Sequence, residues 1–230
     1  MNRNEWKGVI HTLEQVSEYY DLMNDLATFF QADKWRKSAI KDLKDEMSIL
    51  EIGSGPGSFL QMLEKGKIVA LDPSKKLLSV SRERVGERAS FATGISESLP
   101  FRENSFDLIF CSFSFRDFKD RALSLNEMRR ILREDGVLKI VDIARYRKGL
   151  RSLLMKIHLK FIVPAIARIM IPRKLRMQWG RNPYKALWET YAVFETAEEI
   201  SSMMRDTGFR NIVLRYLSLR GAFLICAGRA

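Results

Sequence analysis

A glycine-rich turn and a later carboxylate are the features of this chain best suited to hold a nucleotide. Residues 51–57 read E-I-G-S-G-P-G after a short apolar run, and Asp72 ends the next apolar run, 21 residues after Glu51. Glycines there let the backbone approach a ligand, and a helix after the turn would offer its positive N-terminus. Open α/β sheets place a carboxylate like Asp72 on ribose hydroxyls. The two features predict a ribose-containing nucleotide, whereas the turn alone would fit an ordinary strand-to-helix connection.

The glycine spacing argues against a dinucleotide. A dinucleotide turn reads G-x-G-x-x-G or A, because the pyrophosphate must sit on the helix N-terminus. Here the third glycine, Gly57, comes one position early, and Ser58 stands in its place. Glu51 would repel a diphosphate but would suit a cationic amino-acid tail. The turn therefore favours S-adenosylmethionine over NAD.

Four segments resemble, in order, the motifs of class I S-adenosylmethionine-dependent methyltransferases. They are E-I-G-S-G-P-G at 51–57, D-P-S at 72–74, G-I-S-E-S-L-P-F at 94–101 with N-S-F-D at 104–107, and R-I-L-R-E-D-G at 130–136. The resemblance implies S-adenosylmethionine as cofactor, with the segment from Gly94 beside the adenine. The cofactor-binding residues it implies are Glu51, Gly53, Ser54, Gly55, Pro56, Gly57, Asp72, Pro73, Ile95, Ser96 and Ser112.

Further segments resemble the ubiquinone/menaquinone biosynthesis C-methyltransferases. Residues 20–35 read Y-D-L-M-N-D-L-A-T-F-F-Q-A-D-K-W, close to that family's Y-D-x-M-N-x-x-[LIVM]-S-x-x-x-H-x-x-W, and F-S-F-R-D at 113–117 is similar to its F-G-L-R-N. The resemblance spans roughly residues 16–217. It implies that Tyr20 and Asn24 close a substrate site and that Arg116 is catalytic. The chain departs from the family pattern at Ala27, Ala32, Ile95, Asp117, Asp142 and Ala144.

The order of predicted elements indicates an α/β fold. Predicted strands at 48–52, 67–71, 90–93, 106–112 and 137–143 alternate with predicted helices at 58–65, 74–85 and 121–132. A helix at 197–207 and a hairpin of strands at 212–219 and 222–227 follow. The sequence, with the resemblance, predicts a single Rossmann-like methyltransferase domain over residues 1–230, with a mostly parallel seven-stranded sheet, helices on both faces and a C-terminal antiparallel hairpin. Its parts are a helical cap (1–46), a cofactor-binding core (47–143), a basic amphipathic cap (144–195) and a C-terminal helix and hairpin (196–230).

Composition excludes several classes of protein. Two cysteines and two histidines cannot build a disulfide framework or a histidine-rich metal site, so no metal is expected. No signal peptide and no membrane-spanning run are evident, which predicts a cytoplasmic protein. The formal charge is +11, but it is local: the twelve basic residues between Ile143 and Trp188 stand among no acidic ones. Because the rest is nearly neutral, nucleic acid is not an expected partner.

The basic segment, residues 144–195, predicts a peripheral contact with an anionic membrane. Apolar positions from Leu150 to Phe161 follow helical spacing with lysines and arginines between them, and Pro164 is predicted to break the helix. The segment follows the fifth strand, so it should lie over the acceptor pocket. A merely solvated helix face is the alternative.

The function that these features predict is methylation of a small, lipophilic acceptor by S-adenosylmethionine, by resemblance the C-methylation of an isoprenoid quinol precursor. Arg116, at the end of the fourth strand, would stabilise a phenolate or orient a water. The alternatives are methylation of another small molecule or a phospholipid headgroup, and an inactive cofactor-binding regulatory domain. Methylation of a flipped base is less favoured, because C-S-F-S-F at 111–115 offers no clamp of the N-P-P-Y type. The oligomeric state is left open.

Overall fold

A seven-stranded sheet forms the centre of the computed structural model, which describes residues 3–171, 173–177 and 182–229. Its strand order is β3-β2-β1-β4-β5-β7-β6. The strands are β1 (Ser48–Ile52), β2 (Lys67–Asp72), β3 (Ala89–Thr93), β4 (Phe106–Ser112), β5 (Leu132–Ile143), β6 (Phe209–Leu217) and β7 (Ala222–Arg229). The first five are parallel, and β7 pairs antiparallel with both β5 and β6. The predicted fold class is therefore confirmed.

Ten helices surround the sheet in the described part of the chain. Three precede it, namely α1 (Arg3–Gln15), α2 (Tyr20–Ala27) and α3 (Ala32–Ala39). Two lie within the parallel core, α4 (Lys75–Val85) and α5 (Arg121–Ile131). The basic segment forms α6 (Leu150–Ile157), α7 (Val163–Met170), α8 (Arg173–Arg176) and α9 (Pro183–Val193), and α10 (Ala197–Asp206) leads into the hairpin. Pro172 and Arg181 of that segment lie outside the described residues.

Successive side chains along each strand point to opposite faces of the sheet, so the apolar core has one part on each face. Ile49 of β1 packs in one apolar cluster with α2, α3 and the α6–α7 region, whereas Leu50 packs in the other with α5 and α10. Apolar burial on both faces is what parallel strands require. The strand order reverses between β1 and β4, so their carboxyl ends diverge and leave a crevice, where open α/β sheets bind ligands.

The predicted helix over residues 58–65 is wrong, since this segment contains only a short 3₁₀ turn, Leu60–Met62. Phe59, Leu60 and Leu63 are all buried in the cluster that contains Ile49. The chain becomes extended at Leu63, with ψ 99°, and Gly66, with φ +92°, directs it into β2. The glycine turn is therefore followed by a 3₁₀ turn and an extended residue instead of a long helix.

The predicted break at Pro164 is also wrong. A π-helical turn, His158–Ile162, joins α6 to α7, and the N–H of Val163 donates to the His158 carbonyl five residues back. Pro164 directly follows this π-helical turn, and α7 continues past it to Met170. One helical rod therefore runs from Leu150 to Met170.

Candidate functional site

The glycine turn after β1 has a backbone that only glycine adopts easily. Gly53, Gly55 and Gly57 have φ of +71°, +54° and +87°, in the left-handed region that side chains disfavour. A Cβ on Gly53 would lie 2.5 Å from the Cβ of Ser114. The N–H groups of Gly53 and Ser54 both donate to the Leu71 carbonyl, at 2.7 and 3.1 Å. The turn is thus fixed to the end of β2, beside Asp72.

Glu51 is a buried carboxyl group beneath this turn. It is 1% exposed, and its Oε2 has no hydrogen-bond partner among the described residues. Burial raises the pKa of Glu51 well above its usual value; the positive charge of Arg36 acts against this rise and Asp72 adds to it. A buried carboxyl oxygen without a donor suits a cationic ligand group.

Arg36 of α3 is the nearby cation, and the sequence did not single it out. It is 4% exposed, its guanidinium lies 5.2 Å from the Phe113 ring centroid, and its Nε donates to the Ser112 hydroxyl at 3.3 Å. Ser112, a predicted cofactor residue, therefore faces this arginine. Its position in the sequence could have indicated a role in the site, because Arg36 directly follows Trp35, the last residue of the N-terminal family segment.

Asp72 lies at the end of β2 with both carboxylate oxygens held by backbone. Oδ2 accepts from the N–H of Gly55 and Oδ1 from the N–H of Ser74, each at 2.9 Å. Burial raises the pKa of Asp72 to about 6, although the two N–H bonds act to lower it. These bonds fix the carboxylate's orientation, and each oxygen keeps a further lone pair for a ligand hydroxyl. Pro73 follows and is half-buried.

The N-terminal helices cover the turn. A Cβ on Gly55 would lie 3.8 Å from the Tyr20 ring. The Ser74 hydroxyl donates to Glu14 at 2.5 Å, and Asp21 accepts from Ser58 and pairs with Arg84. Tyr20 therefore lies where the cofactor turn and the space beneath the helices meet.

Beneath α1 and α2 is a narrow cavity of about 40 Å³. Its polar lining residues are Thr12, Tyr20, Asn24, Arg116, Asp117 and Thr190, and its apolar ones include Val9, Leu13, Val16, Met23, Ala186 and Leu187. The structure thus brings together the three residues predicted for the substrate, Tyr20, Asn24 and Arg116. Burial raises the pKa of the Tyr20 hydroxyl, with Asn24, Arg36 and Arg116 acting in the opposite direction.

Arg116 is held by a buried ion pair. Its Nη1 lies 2.7 Å from Oδ1 of Asp142, and the two side chains are 7% and 0% exposed. Its Nε is 3.8 Å from the carboxylate of Asp117. Burial acts to lower the pKa of Arg116, but the carboxylates of Asp142 and Asp117 hold that pKa above its usual value. Arg116 is therefore a fixed cation at the ends of β4 and β5.

Asp117 adds a carboxyl group that sequence reasoning noted only as a departure from the family. Burial raises its pKa, whereas Arg116 and the hydrogen bond from Thr190 lower it. The signal for Asp117 was its position beside Arg116. The cavity therefore holds a cation and a carboxyl group with a raised pKa side by side.

The remaining predicted cofactor residues lie around the same crevice. Pro56 is buried in the turn, and the Ser54 hydroxyl has no partner among the described residues. Ile95 is half-buried, but the Ser96 hydroxyl faces Ser124 at 2.8 Å. Ser96 therefore offers only its backbone toward the crevice.

The described residues form neither of two other kinds of site. No helix there is long and apolar enough to cross a membrane. No group of three or more histidine, cysteine, aspartate or glutamate residues in the described ranges is placed to hold a metal ion.

Solved structures share the fold. A structure described as a SAM-dependent methyltransferase, possible histamine N-methyltransferase, from Thermotoga maritima superposes with a TM-score of 0.68 over 96% of this chain and 100% of that one, at 20% identity. At that identity the likeness concerns the fold.

Sequence comparison reaches closer relatives. A demethylmenaquinone methyltransferase from Thermotoga maritima is 27% identical over 226 residues, 95% of each chain. One from Staphylococcus aureus is 25% identical over 223 residues, 93% of this chain and 90% of that one. The sequence model of the ubiE/COQ5 methyltransferase family matches residues 1–228. The chain therefore belongs to the ubiE/COQ5 methyltransferase family and is an S-adenosylmethionine-dependent enzyme.

Proposed function

We propose that this enzyme methylates a ring carbon of an isoprenoid quinol precursor. The observation that carries the proposal is the buried Arg116–Asp142 pair, whose arginine lines a cavity with a largely apolar wall. A cation there matches an ionised ring hydroxyl. A ring needs more room than the cavity's 40 Å³, so α1 and α2 would move apart to bring the ring against the apolar side chains. The relatives named demethylmenaquinone methyltransferase support the same class of acceptor.

The residues around the glycine turn fit the cofactor. The free Oε2 of Glu51 would accept from the ammonium of the methionine tail, and Asp72 would accept from the ribose hydroxyls. The backbone of Gly53, Ser54, Gly55, Pro56 and Gly57 would lie along the tail. Pro73 and the backbone at Ile95 and Ser96 would border the nucleoside, with Ser112 beside the tail.

S-adenosylmethionine, when bound, supplies an electrophilic methyl group on a sulfonium. The chain's own contribution is position and charge, since methyl transfer depends on an in-line approach at near-attack distance. Tyr20 and Asn24 would close the cavity over the acceptor ring. Arg116 would stabilise the ring oxyanion, which enriches the neighbouring carbon.

Asp117 would act as the proton acceptor. Its carboxylate takes the proton of the ring hydroxyl as the O–H bond breaks, and the oxygen keeps the electron pair that Arg116 stabilises. The new carbon–methyl bond uses ring electrons, and the methyl–sulfur bond breaks with its electron pair left on sulfur. The hydrogen on that carbon then leaves as a proton to water, which restores the aromatic ring as a phenolate. Asp117 returns its proton to the ring oxygen. A general base works best when its pKa lies nearer to neutrality than that of a free aspartate. Burial raises the pKa of Asp117 in this direction.

Peripheral contact with a membrane belongs to the same proposal. An isoprenoid acceptor resides in lipid, and the basic segment follows β5 at the edge of the sheet that carries the site. A contact between this segment and anionic lipid would deliver the acceptor without its crossing water.

The test is a product analysis. The enzyme is incubated with methyl-labelled S-adenosylmethionine and a lipid extract reduced with dithionite, and the labelled product is identified by mass spectrometry. A labelled C-methyl quinol supports the proposal. Label on a headgroup nitrogen or an oxygen, or no product despite cofactor binding, contradicts it.

A further inference from the structure

The outer face of the α6–α7 rod is apolar although nothing in the described structure covers it. Four residues spaced three or four apart share this face and are exposed, namely Leu150, Leu154, Ile157 and Phe161. The inward face is also apolar and is buried through Met155, Leu159, Val163 and Ala167. A helix that is apolar on both sides needs a second apolar environment.

Two loops extend this exposed apolar surface. Phe29 and Phe30, between α2 and α3, are 56% and 63% exposed, and Leu219, between β6 and β7, is 99% exposed. All three have left-handed backbones, with φ of +53°, +59° and +53°. This conformation is costly for bulky residues. Phe30 and Leu219 therefore bear this conformational cost while most of each side chain stays in water.

The three parts meet at one place. Phe29, Leu154 and Leu219 line a single open groove of about 620 Å³. The Phe29 ring also stacks on His158 of the π-helical turn, with ring centroids 3.7 Å apart. The Nε2 of His158 lies 3.1 Å from the Ala27 carbonyl. The rod and the phenylalanine loop are therefore joined rigidly. We call residues 29, 30 and 219, together with the exposed residues of the rod (150–170), the lipid-facing surface.

Positive charge accompanies this surface. Arg151, Lys156, Lys160 and Arg168 are exposed on the rod, and the sequence from 144 to 188 contains no acidic residue. Apolar groups framed by basic groups match a bilayer with anionic headgroups, because the lysine and arginine stems follow apolar surface while their charges reach the phosphates. An apolar protein partner would not require the basic frame.

We propose that the lipid-facing surface docks this enzyme on an anionic phospholipid bilayer, with Phe29, Phe30 and Leu219 inserted beside the rod. The surface extends the membrane contact in the proposed function from the basic segment to two loops far away in sequence. It depends on lipid chemistry and not on which acceptor is methylated. Vesicle binding is measured without acceptor, so its result tests the docking surface independently of the proposed reaction.

The test is co-sedimentation of the full chain with phosphatidylcholine vesicles, with and without phosphatidylglycerol, at low and high salt. One variant carries Arg151→Gln, Lys156→Gln and Lys160→Gln. Its matched control carries Lys41→Gln, Lys44→Gln and Lys65→Gln, at exposed positions near the opposite, N-terminal edge of the parallel strands. At about 1 kcal/mol for each basic residue, the first variant should bind anionic vesicles roughly 100-fold more weakly. The control should bind like the parent.

The loops are tested separately. Phe30→Ser with Leu219→Ser should weaken binding to anionic vesicles at least 10-fold and reduce its salt-resistant part. Leu123→Ser with Val213→Ser, also exposed apolar positions, should not. All variants should keep the parent's melting temperature and cofactor affinity.

Three results would overturn the docking proposal. They are no vesicle binding by the parent, equal losses in test and control variants, and a dimer in light scattering that only the loop variant disperses. The last result would assign the surface to a second copy of the chain.

Discussion

Arg116 and Asp142 form an ion pair of 2.7 Å at the carboxyl ends of neighbouring strands, with the Asp142 side chain fully buried. Burying two charges is costly unless they are paired, and removing one partner leaves the other uncompensated. The pair therefore fixes Arg116 but also makes the fold depend on it. Tests of Arg116 must separate these two effects.

Arg116→Lys should keep the fold and lose most of the turnover. A lysine has one ammonium group, which would pair with Asp142 and leave no fork of donors for a ring oxyanion. Loss of such a donor costs on the order of 100-fold in turnover. Cofactor affinity should change much less. Steady-state kinetics measure the turnover, and calorimetric titration measures the cofactor affinity. Near-normal turnover would show that Arg116 is only a structural residue.

Arg116→Ala should unfold more easily than Arg116→Lys, because it leaves Asp142 buried and unpaired. The expected loss of stability is about 3–5 kcal/mol, measured by urea unfolding. Combining Arg116→Ala with Asp142→Ala should recover part of that loss. If the double variant is no more stable than Arg116→Ala, the unpaired Asp142 is not the cause of the lost stability.

With cofactor saturating, so that Asp72 does not limit the rate, Asp117→Asn should remove the acidic limb of the pH–rate profile. Burial raises the pKa of Asp117, so the carboxylate that accepts a proton accumulates at higher pH than for a free aspartate. Parental kcat/KM should therefore rise with pH through this raised pKa and then level off. The variant should be slower and flatter across the same range, and an unchanged profile would exclude Asp117 as the proton acceptor.

Glu51 should release a proton when the cofactor binds. Its pKa is raised well above the usual range by burial, and a cationic ammonium beside it would lower that pKa. Calorimetry with S-adenosylhomocysteine over a series of pH values, in buffers of different ionisation enthalpy, measures the released protons. Glu51→Gln should bind more weakly and release none. Equal proton release by parent and variant would place the ammonium elsewhere.

Cofactor affinity should fall in acid because of Asp72. Its pKa is about 6, and the ionised form is the better acceptor for ribose hydroxyls. Affinity should be level above pH 7 and weaken roughly tenfold per pH unit below 6. Asp72→Asn should be at least ~10-fold weaker at pH 8, without that decline. A decline of the same size in the variant would assign it to another group.

Most of the fold could be predicted because its signals are local. Runs such as Ile49–Ile52 end at glycine or proline, and their alternation with helical stretches indicates a parallel sheet. The prediction of a helix over 58–65 was wrong because the burial of Leu63 in the core outweighed the helical pattern of this short connection. The prediction of a helix break at Pro164 was wrong because a π-helical turn joins α6 to α7. The sequence pattern does not indicate such a turn.

The site was predicted less completely than the fold. Tyr20, Asn24 and Arg116 were predicted through family motifs, and the structure brings them to one cavity. Arg36 was missed because a lone arginine on a short helix is usually solvated. Its burial follows from the packing of α3 against the sheet. Such charges become visible only when distant elements are assembled.

The most direct test of the central claim uses a reduced demethylated quinol with a short isoprenoid tail, methyl-labelled S-adenosylmethionine and the purified enzyme. The attachment of the label is determined by carbon NMR. The account predicts one labelled methyl group on a ring carbon, formed on the order of 100-fold more slowly by Arg116→Lys. Label on a ring oxygen, or no transfer by an enzyme that binds the cofactor, would contradict it.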